Sequence, residues 1–210
     1  MIIVCVSDTH CQEGKLHHDI PWGDVLVHGG DLTWKGRVSE IEDVNSWLGS
    51  LPHEKKLVIA GNHDWLFQTK PEEAQRLITN AHYLEDRSYT IDGVKFWGSP
   101  WQPWFHDWAF NLHRGPQIQE KWNLIPEDTE VLITHGPPKG ILDIPGHSRQ
   151  GVGCADLLEK IKKLPKLKLH VFGHIHGSYG EMKIGGVTFV NASICDEGYY
   201  PVNRPIVVEI

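Results

Sequence analysis

Three short, unbroken apolar runs occur early in the chain, at residues 2–6, 25–28 and 57–60. Each has the length and continuity of a strand buried on both faces. Between the second and third, Ser39 and Glu42 match a capping box. Ile41, Val44, Leu48 and Leu51 then fall on one helical face, which predicts a helix over 40–48. Pro71 in a first turn predicts another helix, through about Thr79. Farther on the pattern changes. Residues 87–91 and 94–97 flank Asp92-Gly93, a hairpin signal, and 98–108 is too rich in proline for a helix or a central strand. A helix over about 117–124, a strand at 131–134, an amphipathic helix over 154–163 and a strand at 169–172 follow. A second hairpin pairs 182–184 with 187–191 about Gly185-Gly186, and residues 206–210 supply a closing strand.

Strand and helix alternate first and hairpins come later, with no linker or internal repeat. The expectation is an α/β fold of two stacked, mostly mixed β-sheets with helices outside them, a single domain over residues 1–210. A chain of that length buries roughly 70% of its unfolded surface. A hydrophobic content of 40% with nine Trp can fill the core. No segment is apolar for long enough to cross a bilayer, and no basic leader precedes Ile2, so the expected protein begins at Met1 and is cytoplasmic, without membrane attachment. The formal charge of −7 argues against stable binding of nucleic acid. Bound cations would offset it locally and leave room for a small anion. The lysines between 160 and 168 read as a helix C-terminus feeding a strand. Cys5, Cys11, Cys154 and Cys195 show no spacing for a zinc knuckle or a disulfide framework.

The candidate chemistry sits directly after the apolar runs. Asp8-Thr9-His10, Gly30-Asp31, Gly61-Asn62-His63-Asp64, His135 and Gly173-His174-Ile175-His176 each follow a predicted strand, so all should gather beyond one sheet edge. Carboxylate, amide oxygen and imidazole donors in that number suit two divalent cations, with Asp31 as the bridge after its two-glycine turn. A reasonable division puts Asp8, His10, Asp31 and His176 on one ion and Asp31, Asn62, His135 and His174 on the other. Donors of this kind accept Mn²⁺, the expected metal, as well as Fe, Zn²⁺ or Co²⁺. Two such ions about 3.5–4 Å apart hydrolyse phosphate esters with an activated hydroxide. Asp31 is thus also a catalytic candidate. His63 is left over from coordination and is a candidate to protonate the departing alkoxide. His17, His18, His53, His82, His106, His113, His147 and His170 are read as non-catalytic.

In order and spacing these motifs resemble the calcineurin-like metallophosphoesterase superfamily over nearly the whole chain. The resemblance implies a four-layer double β-sandwich and the same ligand set. Gly98-Ser99-Pro100-Trp101-Gln102-Pro103-Trp104, Asn111-Leu112-His113-Arg114-Gly115, Lys121-Trp122-Asn123-Leu124-Ile125-Pro126, Thr134-His135-Gly136-Pro137-Pro138 and Asn191-Ala192-Ser193 resemble, more narrowly, a small brain-type metallophosphoesterase subfamily. That subfamily is related to class III cyclic nucleotide phosphodiesterases. Its members can carry Gly in place of the first His of G-H-x-H; here His174 is present, which favours a complete two-metal site. The protein Ser/Thr phosphatases of the superfamily carry an arginine after the Gly-Asp motif, whereas here the stretch runs Gly30-Asp31-Leu32-Thr33-Trp34-Lys35-Gly36. A dianionic monoester loses a bidentate partner by that change, and a monoanionic diester needs it less.

The expected activity is therefore a dinuclear, metal-dependent phosphodiesterase acting on small diesters, 2′,3′- or 3′,5′-cyclic nucleotides foremost. A phosphomonoesterase of the same fold or a slow nucleotide-binding scaffold is the alternative. Trp97, Trp101, Trp104 and Trp108 crowd a proline-rich loop that could stack a base. Trp101, Trp104 and Arg114 are the substrate-binding candidates, with Lys139 as a second cation on an exposed loop.

Overall fold

The computed structural model describes residues 1–146 and 148–210, so the non-catalytic reading of His147 lies outside the described residues. The first third runs β1 (Ile2–Val6), β2 (Val25–His28), α1 (Val38–Ser50), β3 (Lys55–Val58), α2 (Trp65–Thr69), α3 (Pro71–Leu77) and β4 (His82–Tyr83). The hairpin β5 (Arg87–Ile91) and β6 (Val94–Ser99) leads to β7 (Gln102–Pro103), β8 (Asn111–Leu112) and α4 (Pro116–Asn123). Next come β9 (Val131–Thr134), α5 (Ala155–Ile161) and β10 (Leu169–Phe172). The last strands are β11 (Gly180–Ile184), β12 (Val187–Asn191) and β13 (Ile206–Glu209).

One sheet has the order β13-β1-β2-β3-β4, and the other β11-β12-β10-β9-β6-β5. Strands β1 to β4 run parallel, as do β6, β9, β10 and β12, while β13, β5 and β11 are antiparallel edges. Side-chain alternation along β1 explains the layering. Ile3 and Cys5 point into a core between the sheets with Val25, Val27, Leu57, Phe96, Ile133 and Val171. Val4 and Val6 point the other way, onto Ile41, Val44 and Leu48 of α1 and Phe67 of α2. On the far side, Ile118 and Trp122 of α4 and Leu157 and Ile161 of α5 cover Leu132 and Phe172. Each fully buried Leu, Ile or Val contributes about 1.5–3 kcal/mol. An isolated bridge between Ser7 and Ser193 joins the ends of β1 and β12, tying the two sheets together at their carboxyl edge. No helix among the described residues is long and apolar enough to cross a membrane.

Several local expectations shift. Helix α1 starts at Val38, and the reach-back comes from Glu40, whose Oε2 accepts the Arg37 N–H at 3.1 Å and the Lys35 N–H at 2.9 Å. The expected pair Ser39 and Glu42 does not cap it. Gly36, at φ +67°, turns the chain so that the helix begins earlier. Strand β3 lies two residues earlier than 57–60, because Val25 pairs with Lys55 across the ladder. The five-residue α2 and two-residue β4 were not expected at all.

Candidate metal centre

Every motif lies where a strand ends: Asp8 after β1, Asp31 after β2, Asn62 after β3, His135 after β9, and His174 and His176 after β10. Turning so many side chains inward requires unusual backbone. Asp8, His10, Asp31 and His174 take φ of +54°, +45°, +52° and +66°, all left-handed. Glycine makes the remaining room. A methyl group on Gly173 would overlap Asp8 Oδ2 and Ser7 Oγ, and one on Gly61 would overlap Asp31 Oδ1.

Donor atoms converge in three overlapping groups, Asp8/His10/His176, His10/Asp31/His63 and Asp31/His135/His174, each within 4.8 Å. Asp31 Oδ2 lies 3.8 Å from His10 Nε2 and 3.4 Å from His135 Nε2. Asn62 Oδ1 lies 2.9 Å from His135 Nε2, and Asp8 Oδ1 3.3 Å from His176 Nε2. Asp31 stands in two of the three groups, with His135 and His174 in one as the expected division has it, but with His10 and His63 in the other, where His63 was expected to stay outside the donor set.

The imidazoles are oriented by backbone carbonyls. His10 Nδ1 donates to Thr33 O at 3.3 Å, His135 Nδ1 to Gly29 O at 3.0 Å, and His176 Nδ1 to Asp196 O at 2.8 Å. A carbonyl only accepts, so each Nδ1 carries hydrogen and each Nε2 is turned inward as the donor to a cation. His10 Nε2 and His176 Nε2 then sit 3.4 Å apart, a spacing that needs a proton or a cation between two lone pairs. That observation, with the mixed N and O donors, makes the residues fit divalent metal.

Charge in the site follows from burial and proximity. Burial opposes ionisation of Asp8, yet the hydrogen bond and charge of His176 hold its carboxyl below the usual range. Burial likewise opposes Asp31, and His135, His63 and His10 hold it well below the usual range. Burial pushes His10 down to about 4 and His174 down to about 3. His135 resists its burial and rises to about 9 because the Asp31 carboxylate faces it. The two ionised carboxylates and the neutral imidazoles of His10 and His174 are in the states that ligands require, while His135 must release its proton to bind a cation.

Some contributors were not legible as site residues. Asp64 is fully buried; its Oδ1 accepts Thr33 N–H at 2.8 Å and Thr33 O–H at 2.6 Å, and its Oδ2 accepts Gly61 N–H at 2.8 Å and Leu32 N–H at 3.1 Å. It ties the Asp31 loop to the Asn62 loop. Ser193 Oγ donates to Asp8 Oδ2 at 2.9 Å, and the His174 N–H reaches the same carboxylate. Trp34 and Tyr199 pack edge-on against His10 at 5.5 and 5.0 Å. The pattern Gly-Asn-His-Asp marked Asp64 only as part of a motif, and nothing around Trp34 or Tyr199 distinguishes them from loop aromatics.

A cleft of about 620 Å³ opens over the centre, bordered by Asn62, His63, Trp104, Trp108, Arg114 and Tyr199 among others. The substrate-binding candidates separate here. Trp104 borders the cleft and is 55% exposed. Trp101 does not border it, correcting the expectation: its Nε1 donates to Asp86 at 3.0 Å and Lys121 sits 4.4 Å over its ring, so it is held in a packed cluster. Arg114 borders the cleft, but its guanidinium already donates to Gly153 O and Val152 O. Lys139 is exposed and does not border it. Trp108 takes the place expected of Trp101, its ring 4.4 Å from that of His63.

Residues 1–178 match the family described as calcineurin-like phosphoesterase. The human metallophosphoesterase domain-containing protein 1 is 48% identical over 99% of this chain and 70% of its own length. A UPF0046 protein of Caenorhabditis elegans is 40% identical over 99% of this chain and 74% of its own. One solved structure superposes with a TM-score of 0.66 at 16% identity, covering 90% of this chain and 89% of its own, which bears on the fold alone.

Proposed function

The chain belongs to the calcineurin-like phosphoesterase family, and from that premise we propose that it is a two-metal phosphodiesterase acting on small phosphodiesters, cyclic nucleotides foremost. The observation that carries the reading is the convergence of Asp8, His10, Asp31, Asn62, His135, His174 and His176 at the strand ends, with the ring nitrogens aimed by carbonyls. When bound, two divalent cations, Mn²⁺ by expectation, supply Lewis-acid polarisation of a phosphoryl oxygen and acidify water at neutral pH.

The chain's own residues do the rest. Asp31 shares its carboxylate between the two donor sets, and Asp64 and Ser193 fix the loops that present it and Asp8. His63 donates through Nδ1 to Trp34 O at 2.9 Å, so its Nε2 is the atom left to hand a proton to the departing alkoxide. The tryptophan-lined wall of the cleft offers faces on which a base can stack.

The preference for diesters over monoesters is supported by Arg114. As the arginine that borders the cleft, it spends its guanidinium on two backbone carbonyls, and a dianionic phosphate gains no bidentate clamp from it. We place the protein in the cytoplasm, with a small phosphodiester or nucleotide as its partner. The test is one screen of Mn²⁺-loaded protein against 2′,3′- and 3′,5′-cyclic nucleotides, bis(p-nitrophenyl) phosphate and p-nitrophenyl phosphate. Turnover should favour the diesters; faster turnover of the monoester than of every diester overturns the reading.

A further inference from the structure

The cleft reaches Asp31, Asn62, His174 and His176 but not Asp8 or His10, which are 0% and 1% exposed. The rings of Trp34 and Tyr199 lie over His10 and touch each other edge-to-face at 4.7 Å. Tyr199 is also 5.2 Å from His176 and 6.3 Å from His63. Trp108 packs on His63 at 4.4 Å, and Tyr199 and Trp108 both border the cleft. A group in the cleft that receives a proton from His63 therefore has both rings as neighbours.

The backbone marks Tyr199 as a placed residue. Its φ is +61°, a conformation that bulky side chains seldom adopt and that persists only where the surroundings impose it. Asp196 imposes it here: its carboxylate accepts the Gly198 and Tyr200 N–H groups at 2.8 and 2.9 Å, and its carbonyl accepts the Tyr199 N–H at 2.9 Å. The same carbonyl orients His176, so one residue aims a metal-donor candidate and the tyrosine beside it.

We propose that Tyr199 is a specificity-determining residue whose ring bounds the space beside His63 and limits the size of the leaving group. The proposal rests on the phosphodiesterase reading. A short alkoxide, or one that stays tethered to the product as in a cyclic ester, fits beside the Tyr199 ring. A flat bicyclic one is disfavoured.

The test compares methyl phosphodiesters bearing p-nitrophenyl and 4-methylumbelliferyl leaving groups on Mn²⁺-loaded parent, Tyr199→Ala and Tyr199→Phe. The alanine variant should raise the ratio of kcat/KM, bulky over slim, by about tenfold or more, a discrimination typical of pocket walls. The phenylalanine variant should keep the parent's ratio, because the ring sets the wall. Binding supplies a second readout: calorimetric Kd for methyl(naphthylmethyl)phosphinate should tighten in Tyr199→Ala, with dimethylphosphinate little changed. Tyr199→Gly suits the positive φ and serves should the alanine variant fold poorly. A ratio and phosphinate affinities unmoved by removing the ring overturn the proposal while parent turnover of diesters leaves the phosphodiesterase reading intact. A parent that turns over no diester and binds neither phosphinate overturns both.

Discussion

The His63 backbone N–H donates to Asp31 Oδ1 at 2.8 Å, so the residue proposed to protonate the leaving group is positioned by the carboxylate proposed to bridge the metals. With Oδ1 so engaged, Oδ2 is the oxygen left facing His10 and His135. Substrate orientation and metal placement are thereby coupled through one side chain. The coupling makes Asp31 the position where a small change should have the widest effect.

Asp31→Asn is expected to weaken binding of both cations and bring turnover toward background, because the amide nitrogen cannot bridge. Metal content by elemental analysis, taken alongside diesterase rate, checks this. Two tightly held ions with full activity would remove Asp31 from the shared position.

For His63→Ala, loss of about 10²–10⁴ in rate is expected on esters with poor leaving groups, the usual contribution of general acid–base catalysis. Metal stoichiometry should hold. Rates on p-nitrophenyl esters should fall less, since that leaving group departs without a proton. Equal losses on both ester types would argue that His63 does not act as an acid.

Asp64→Ala strands four buried donors, and a stability loss of about 2–4 kcal/mol is expected, read as a lower urea midpoint. Metal affinity should also weaken by about 10–100-fold, as is common when a group behind the ligands is removed. An unchanged midpoint would mean that the two loops hold together without it.

His170 lies in β10, fully buried, with Nε2 at 2.8 Å from Thr134 Oγ1, and burial pushes its imidazole down to about 3. As pH falls below about 6.5 the unfolded chain takes up a proton that the folded chain refuses, so stability present at neutral pH is lost on acidification. By pH 5 this one group should cost roughly 2 kcal/mol. Urea midpoints at pH 7 and pH 5 for the parent and His170→Gln test it; the glutamine variant should lose correspondingly less.

Trp104→Ala should raise KM for cyclic nucleotides while sparing dimethyl phosphate-sized diesters, since stacking on one exposed ring is worth about 1–3 kcal/mol. Trp101→Ala should act through stability, having no face on the cleft. A specific KM effect at Trp101 and none at Trp104 would reverse the assignment of the loop.

The metal-donor candidates were legible because each follows a predicted strand, and the short apolar runs place the strands' carboxyl ends closely even where, as in β3, the strand itself is displaced. The layers were legible too, through the alternation of Ile3 and Cys5 against Val4 and Val6. What escaped depends on contacts distant in sequence. Trp101 turns inward because Asp86, fifteen residues earlier, and Lys121 receive it. Tyr199 reaches His10 from the other end of the chain. Helix α2 is too short to show a period, and β4 exists only because β3 offers it a partner.

The left-handed backbone at His10 and His174 has a consequence for anyone breeding better-behaved versions of this protein. Glycine would relieve roughly 1–2 kcal/mol of conformational cost at each of these positions. A screen that rewards only heat resistance or yield would climb toward such replacements and, given the metal-donor roles proposed for both histidines, enrich inert chains. Improving this molecule without disarming it requires that survival in the screen be made to depend on turnover.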